Sequence, residues 1–134
     1  MNDEIVVQVE TTVNLTESEE KVRTAVANLF GGLPVAANTS HNGSILEAKV
    51  KGQDTLIRFR NLLRNDRIRD AARRALLKGT RKDAVIFCLN KQVAFVGHIS
   101  FSEEIAESPL GPIKVTVKCD DPRKLVDWLA PRTA

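Results

Sequence analysis

Aromatic side chains are scarce in this chain of 134 residues: five phenylalanines, one tryptophan and no tyrosine. A sheet that reads single strands by stacking bases needs a row of exposed aromatics, and no RNP-type motif is present, which argues against an RRM. The GXXG loop of a KH domain is missing too, since Gly31-Gly32 and Gly43 lack that spacing. Nowhere does a glycine-rich loop lead into Lys-Ser or Lys-Thr, so the chain has no phosphate-binding P-loop. With two histidines and two cysteines in all, neither His41 nor His98 makes a close metal pair with a cysteine, and no metal or cofactor is expected. Cys88 and Cys119 both lie inside apolar runs and read as buried, reduced thiols. No apolar run approaches the roughly 20 residues of a membrane span. The opening MNDE lacks the basic-then-apolar pattern of a secretory signal, so a cytoplasmic location without membrane contact is expected.

What is present is strongly polarised charge. The net +3 conceals a stretch, Asp54–Lys82, with ten cations against three carboxylates, +7; the remainder has ten against fourteen, −4. Such asymmetry is the electrostatic footprint of a polyanion binder. The same stretch has helical periodicity. Leu56, Phe59 and Leu63 share one face, while Ile68, Ala71, Ala72, Ala75 and Leu76 share another, rotated about half a turn. One straight helix cannot bury both faces, so the spacing predicts two helices, Asp54–Leu63 and Asp66–Lys78, broken at Arg64–Asn65. Asn65 or Asp66 is expected to cap the second, and Gly79 to end it in the left-handed conformation.

The remaining pattern is mostly strands. Ile5–Val13 alternates as a half-buried strand. Thr16-Glu17-Ser18-Glu19 fits a capping box before a helix bearing Val22, Ala25, Val26 and Leu29, which Gly31-Gly32 stops. Pro34–Ser40 and the alternation of Leu46, Ala48 and Val50 flank the turn signal His41-Asn42-Gly43-Ser44. Ala84–Leu89 is apolar on both faces, as a strand covered on each side must be. Val93–Phe101 is expected to return as a second apolar strand after a turn at Asn90-Lys91, placing His98 in a largely buried strand. After the turn-rich Ser108–Pro112 comes the alternating strand Ile113–Cys119. Asp121-Pro122 then heads a last helix carrying Leu125, Val126, Trp128 and Leu129, ended by Pro131. The order β-α-β-β-α-α-β-β-β-α predicts one α+β domain over 1–134, with a mixed, mainly antiparallel sheet and helices packed on it.

Four segments carry a family resemblance: LLRNDRIRDAARRALLKG at 62–79, FCLNKQVAFVGHISF at 87–101, ESPLGPIKV at 107–115 and DPRKLVDWLAPRT at 121–133. Over nearly its whole length the chain resembles an archaeal family of uncharacterised proteins labelled RNA-binding. The resemblance implies a fold like that of large-subunit ribosomal protein L-five, which binds ribosomal RNA. It also implies co-occurrence with a P-loop kinase-like domain, to which relatives are sometimes fused.

The expected function is therefore non-catalytic recognition of structured RNA through a basic helical surface. The candidate contacts are Arg58, Arg60, Arg64, Arg67, Arg69, Arg73, Arg74, Lys78, Arg81 and Lys82. Arginine suits the task because its planar fork meets phosphate oxygens bidentately. Arg64, Arg67, Arg74 and Lys78 stand out, at the helix break or along one stripe. The alternative is an accessory or assembly protein: a homodimer, with Leu110, Trp128 and the tail Ala130–Ala134 as contact residues, or a regulator of a P-loop kinase-like partner. In the core reading Trp128 simply completes the interior. An enzyme is not expected. Were Cys88 and His98 on paired hairpin strands, they would sit about 16 Å apart at roughly 3.3 Å per residue, too far for a dyad.

Overall fold

A computed structural model describes residues 5–40, 43–102 and 111–132. Six strands form one sheet in the order β2-β3-β1-β6-β4-β5, and every neighbouring pair is antiparallel. They are β1 (Val6–Asn14), β2 (Ala36–Ser40), β3 (Gly43–Lys51), β4 (Ala84–Leu89), β5 (Phe101–Ser102) and β6 (Ile113–Lys118). The helices are α1 (Glu19–Phe30), α2 (Ile57–Asn65), α3 (Arg69–Lys78), α4 (Lys91–Phe95) and α5 (Pro122–Leu129), with a single 3-10 turn at Gln53–Leu56 ahead of α2. The α+β class and the element order match the pattern read from sequence, with α4 as an added turn. The turn residues His41 and Asn42, the segment 103–110 with Leu110, and residues 133–134 lie outside the described residues.

Alternation on β1 drives Val7, Val9, Thr11 and Val13 to one side. The register sets Val7 beside Val50 and Val117, and Val9 beside Ala48 and Val115, so three strands present one apolar face. All five helices contribute to the core on that face, through residues such as Leu29, Phe59, Leu76, Ala94 and Val126. At its centre Phe59 stacks on Phe30 and on Phe87, each with ring centroids 5.4 Å apart, and meets Phe101 edge-on at 6.5 Å. Four of the five phenylalanines are thus spent in one cluster; the fifth, Phe95, stands outside it, 39% exposed. Trp128 is half-buried against the same core.

Several local expectations are corrected. The cap of α1 is Ser18, whose hydroxyl accepts from the Lys21 N–H at 3.3 Å. Thr16 and Glu19 therefore do not form the box, and Glu17 turns inward, accepting from the Asn14 N–H and the nearly buried Lys91 ammonium, both at 3.0 Å. The second basic helix starts at Arg69, with Ile68 at its N-cap and no capping side chain. Asn65 is still helical, and Asp66 reaches across to another element instead. Gly79 is not left-handed (φ −91°); it is glycine because a Cβ there would lie 1.8 Å from the Ile86 carbonyl oxygen.

The largest departure is at Val93–Phe101. Asn90 caps a helical turn, its side-chain oxygen accepting from the Val93 N–H at 2.9 Å, and β5 keeps only two residues, paired with Leu89 and Cys88. The cap and the glycine at 97 outcompete strand pairing, because together they satisfy both ends of a short helix locally. His98 accordingly lies on an exposed loop, not in a buried strand.

Candidate nucleic-acid interface

The site begins with how α2 ends. The Ile68 N–H bonds back to the Leu63 carbonyl (3.3 Å) and the Arg67 N–H to the Arg64 carbonyl (3.2 Å). This is the Schellman arrangement, and its left-handed position is Arg67, with φ 57°. Glycine or asparagine usually takes that position, because a larger side chain costs about 1–2 kcal/mol there. Ile68 then packs on the core cluster that contains Leu63, closing the motif and setting the direction of α3.

The break brings four arginines around one open groove of about 670 Å3, lined by Arg64, Arg67, Arg69 and Arg74 together with Ile68, Asp70 and Ala71. None of the four guanidiniums makes a side-chain hydrogen bond or ion pair among the described residues. Ala71, expected on the packed face, is exposed at this groove, while Ala72 and Leu76 enter the core. Lys78 follows on the last, exposed turn of α3. Arg81 and Lys82 are exposed just beyond, Arg81 donating to the carbonyls of Lys78 and Thr80 at 3.4 and 3.3 Å.

The other three arginines of the stretch are engaged with the protein. Arg58 Nε donates to the Asn28 carbonyl at 2.9 Å. Arg60 Nε donates to the Trp128 carbonyl at 2.8 Å, with its guanidinium 5.0 Å from the centre of the Trp128 ring. Arg73 is buried and donates to the Ala130 carbonyl at 3.0 Å and to Asp127 Oδ1 at 2.7 Å. Helical periodicity groups Arg73 with Arg69; only packing against α5 separates their surroundings.

One neighbouring feature is not visible in sequence. Asp66, the last residue of the α2 turn, accepts from the Ile99 N–H through Oδ2 and contacts His98 Nδ1 through Oδ1, both at 3.1 Å. The loop after α4 is therefore tied to the arginine junction. The thiols offer no comparable site: Cys88 and Cys119 are buried. Burial first, then the carboxylates of Asp121, Asp120 and Asp83, push the Cys119 thiol above its ordinary pKa, so it is neutral near pH 7 and a poor nucleophile.

Comparison with known proteins agrees with this architecture. A family model described as RNA binding matches residues 6–119. The UPF0201 protein PAE1632 of Pyrobaculum aerophilum is 43% identical over 122 residues, 90% of this chain and 85% of that protein. The UPF0201 protein of Sulfurisphaera tokodaii is 45% identical over 130 residues, 97% of this chain and 88% of that one. Among solved structures, the UPF0201 protein of Methanococcus jannaschii superposes with a TM-score of 0.86 at 32% identity, covering 96% of this chain and 95% of the other. A second UPF0201 crystal structure gives 0.79 at 35% identity, covering 96% and 94%. The chain is a member of the UPF0201 family, whose matching family model is described as RNA binding.

Proposed function

We propose that this protein is a non-catalytic RNA-binding protein that holds the backbone of a structured RNA at the α2–α3 junction. One observation carries the reading: Arg64, Arg67, Arg69 and Arg74 surround a single groove with their guanidiniums unpaired among the described residues. Four cations against the single carboxylate of Asp70 leave the groove with an excess of positive charge, and a polyanion relieves that repulsion. Phosphate oxygens accept bidentately from guanidinium, which is the geometry a backbone-reading site needs. Arg67 adds weight, since a strained backbone position kept by an arginine with no side-chain partner among the described residues points outward for its use. Lys78, Arg81 and Lys82 extend the basic surface along α3 and beyond it. Arg58, Arg60 and Arg73 are assigned to holding α2 and α3 against α1 and α5.

The test is fluorescence anisotropy with a labelled RNA hairpin, a DNA duplex of matching sequence and heparin, across a salt series. RNA should bind more tightly than DNA or heparin, with log K falling linearly against log salt. Replacing Arg67 and Arg74 together by Ala should weaken binding uniformly across RNA sequences and reduce the slope by about 1.4–1.8, at roughly 0.7–0.9 per phosphate contact. An unchanged slope would remove the groove from the interface. No RNA binding at all would favour the accessory-protein reading.

A further inference from the structure

A second surface is joined through Asp66 to the helix end that carries the proposed phosphate groove. Among the described residues the exposed large apolar side chains are Leu15, Ile57, Phe95 and Val96, and two of these four are consecutive in one turn. That turn is built rigidly. The Gly97 N–H bonds to the Ala94 carbonyl (3.0 Å) and the His98 N–H to the Val93 carbonyl (3.1 Å), with Gly97 at φ 88°. It is the same Schellman end that closes α2, here with its usual glycine. Asn28 Nδ2 donates to the carbonyls of both Ala94 and Phe95 at 3.0 Å, and the Asn28 carbonyl accepts from Arg58. On the other side Asp66 binds the Ile99 N–H and the His98 imidazole, one residue from Arg67. The turn is thus held between Asn28, itself bonded by Arg58, and Asp66 at the end of α2. The Lys21 ammonium lies 5.8 Å from the Phe95 ring centre, and the His98 side chain is 63% exposed.

We propose that the turn Phe95–His98 receives an unpaired nucleobase, so that the preferred ligand is an RNA helix interrupted by a bulged or looped-out nucleotide. This rests on the RNA-binding reading and deepens it. Phe95 stands outside the cluster formed by the other four phenylalanines and is left 39% exposed, so its ring is open to a ligand. Every base offers a π-face, and stacking on an aromatic side chain is the ordinary way a protein holds a base it has not paired. Lys21 lies beside the ring to meet an attached phosphate, and the Asp66 contacts to His98 and Ile99 tie the loop to the α2 end that carries Arg67. The exposed imidazole of His98 is held at Nδ1 by Asp66, which leaves Nε2 for a base edge. Paired RNA keeps its bases inside the helix and has nothing to place on this turn.

The experiment compares two hairpins that differ only by a single bulged uridine, using the full chain and the variants Phe95→Leu and Phe95→Ala. The wild type should bind the bulged hairpin about tenfold more tightly than the uninterrupted one. Phe95→Leu keeps an apolar side chain and should lose most of that preference while its affinity for the paired hairpin and its salt slope stay unchanged; an unaltered melting temperature certifies its fold. With 5-iodouridine at the bulge, ultraviolet crosslinking should fall on Phe95 or His98. Equal affinity of the wild type for both hairpins, or a preference that survives both substitutions, overturns the inference and leaves the groove assignment standing. Absence of binding to either hairpin overturns both.

Discussion

Arg73 and Arg74 are neighbours in sequence with opposite surroundings. Arg73 keeps 11% of its side chain exposed and is held by α5, whereas Arg74 faces the groove. Asp127 is itself more than half exposed, so the ion pair alone contributes less than about 1 kcal/mol. The larger share is the charged hydrogen bond to the Ala130 carbonyl, a group that Arg73 removes from solvent at the end of α5. Arg73→Ala should therefore cost about 1.5–3 kcal/mol in urea unfolding and leave RNA affinity within about twofold. Arg74→Ala should do the reverse: stability within about 0.5 kcal/mol and weaker RNA binding. Sequence could count these cations and place them on different flanks of one helix, but it does not say which flank is packed. The position of α5 decides that the flank of Arg73 is the packed one.

Two helices, α2 and α4, end in the same backbone motif, with Arg67 at the left-handed position of one and Gly97 at that of the other. The contrast makes a separation-of-function test. Arg67→Gly relieves the side-chain clash but adds freedom to the unfolded chain, so its net effect should lie between neutral and a gain of about 1 kcal/mol. RNA affinity should fall nonetheless, because the guanidinium is gone. A variant that is markedly less stable would mean the side chain supports the junction instead. Elements with a single dominant signal were legible: the alternation of β1, the apolar run of β4, and Asp121-Pro122 at the head of α5, where Asp121 accepts from the Lys124 N–H. Elements with competing signals were not. At 16–19 either of two hydroxyls can cap, and Ser18 wins because Glu17 is drawn to Lys91. At 90–101 the apolar run resembles a strand, yet Phe95 and Val96 are exposed, so their apolarity never reported burial.

At the scale of the molecule, the helices all occupy one face of the sheet and the basic groove lies among them. On the other face Gln8 sits beside Lys49 and Thr116, the residues that alternate with the core positions. Charge reversals at the two places change the net charge equally. Arg74→Glu should weaken RNA binding at least tenfold, whereas Lys49→Glu, exposed on the far face, should change it by no more than about twofold near physiological salt, where screening acts over about 8 Å. Equal effects of the two would mean that net charge, and not the groove, sets the affinity. This comparison also checks whether the polarisation read from sequence is a located surface.

By itself the sequence determined the α+β class, the order of the elements, the two basic helices and the break between them. These follow from local periodicity and from the clustering of ten cations in 29 positions, both properties of the chain alone. The tertiary structure decided which arginines are spent on the protein and which line the groove, because that depends on where α1 and α5 put their carbonyls. It also decided that Asp66 joins the α2 junction to the loop at 98–99, a contact between residues more than thirty positions apart. No local pattern encodes such a contact. It exists because the tertiary fold brings the loop after α4 beside the end of α2, while Phe95 stays outside the core with Lys21 over its ring.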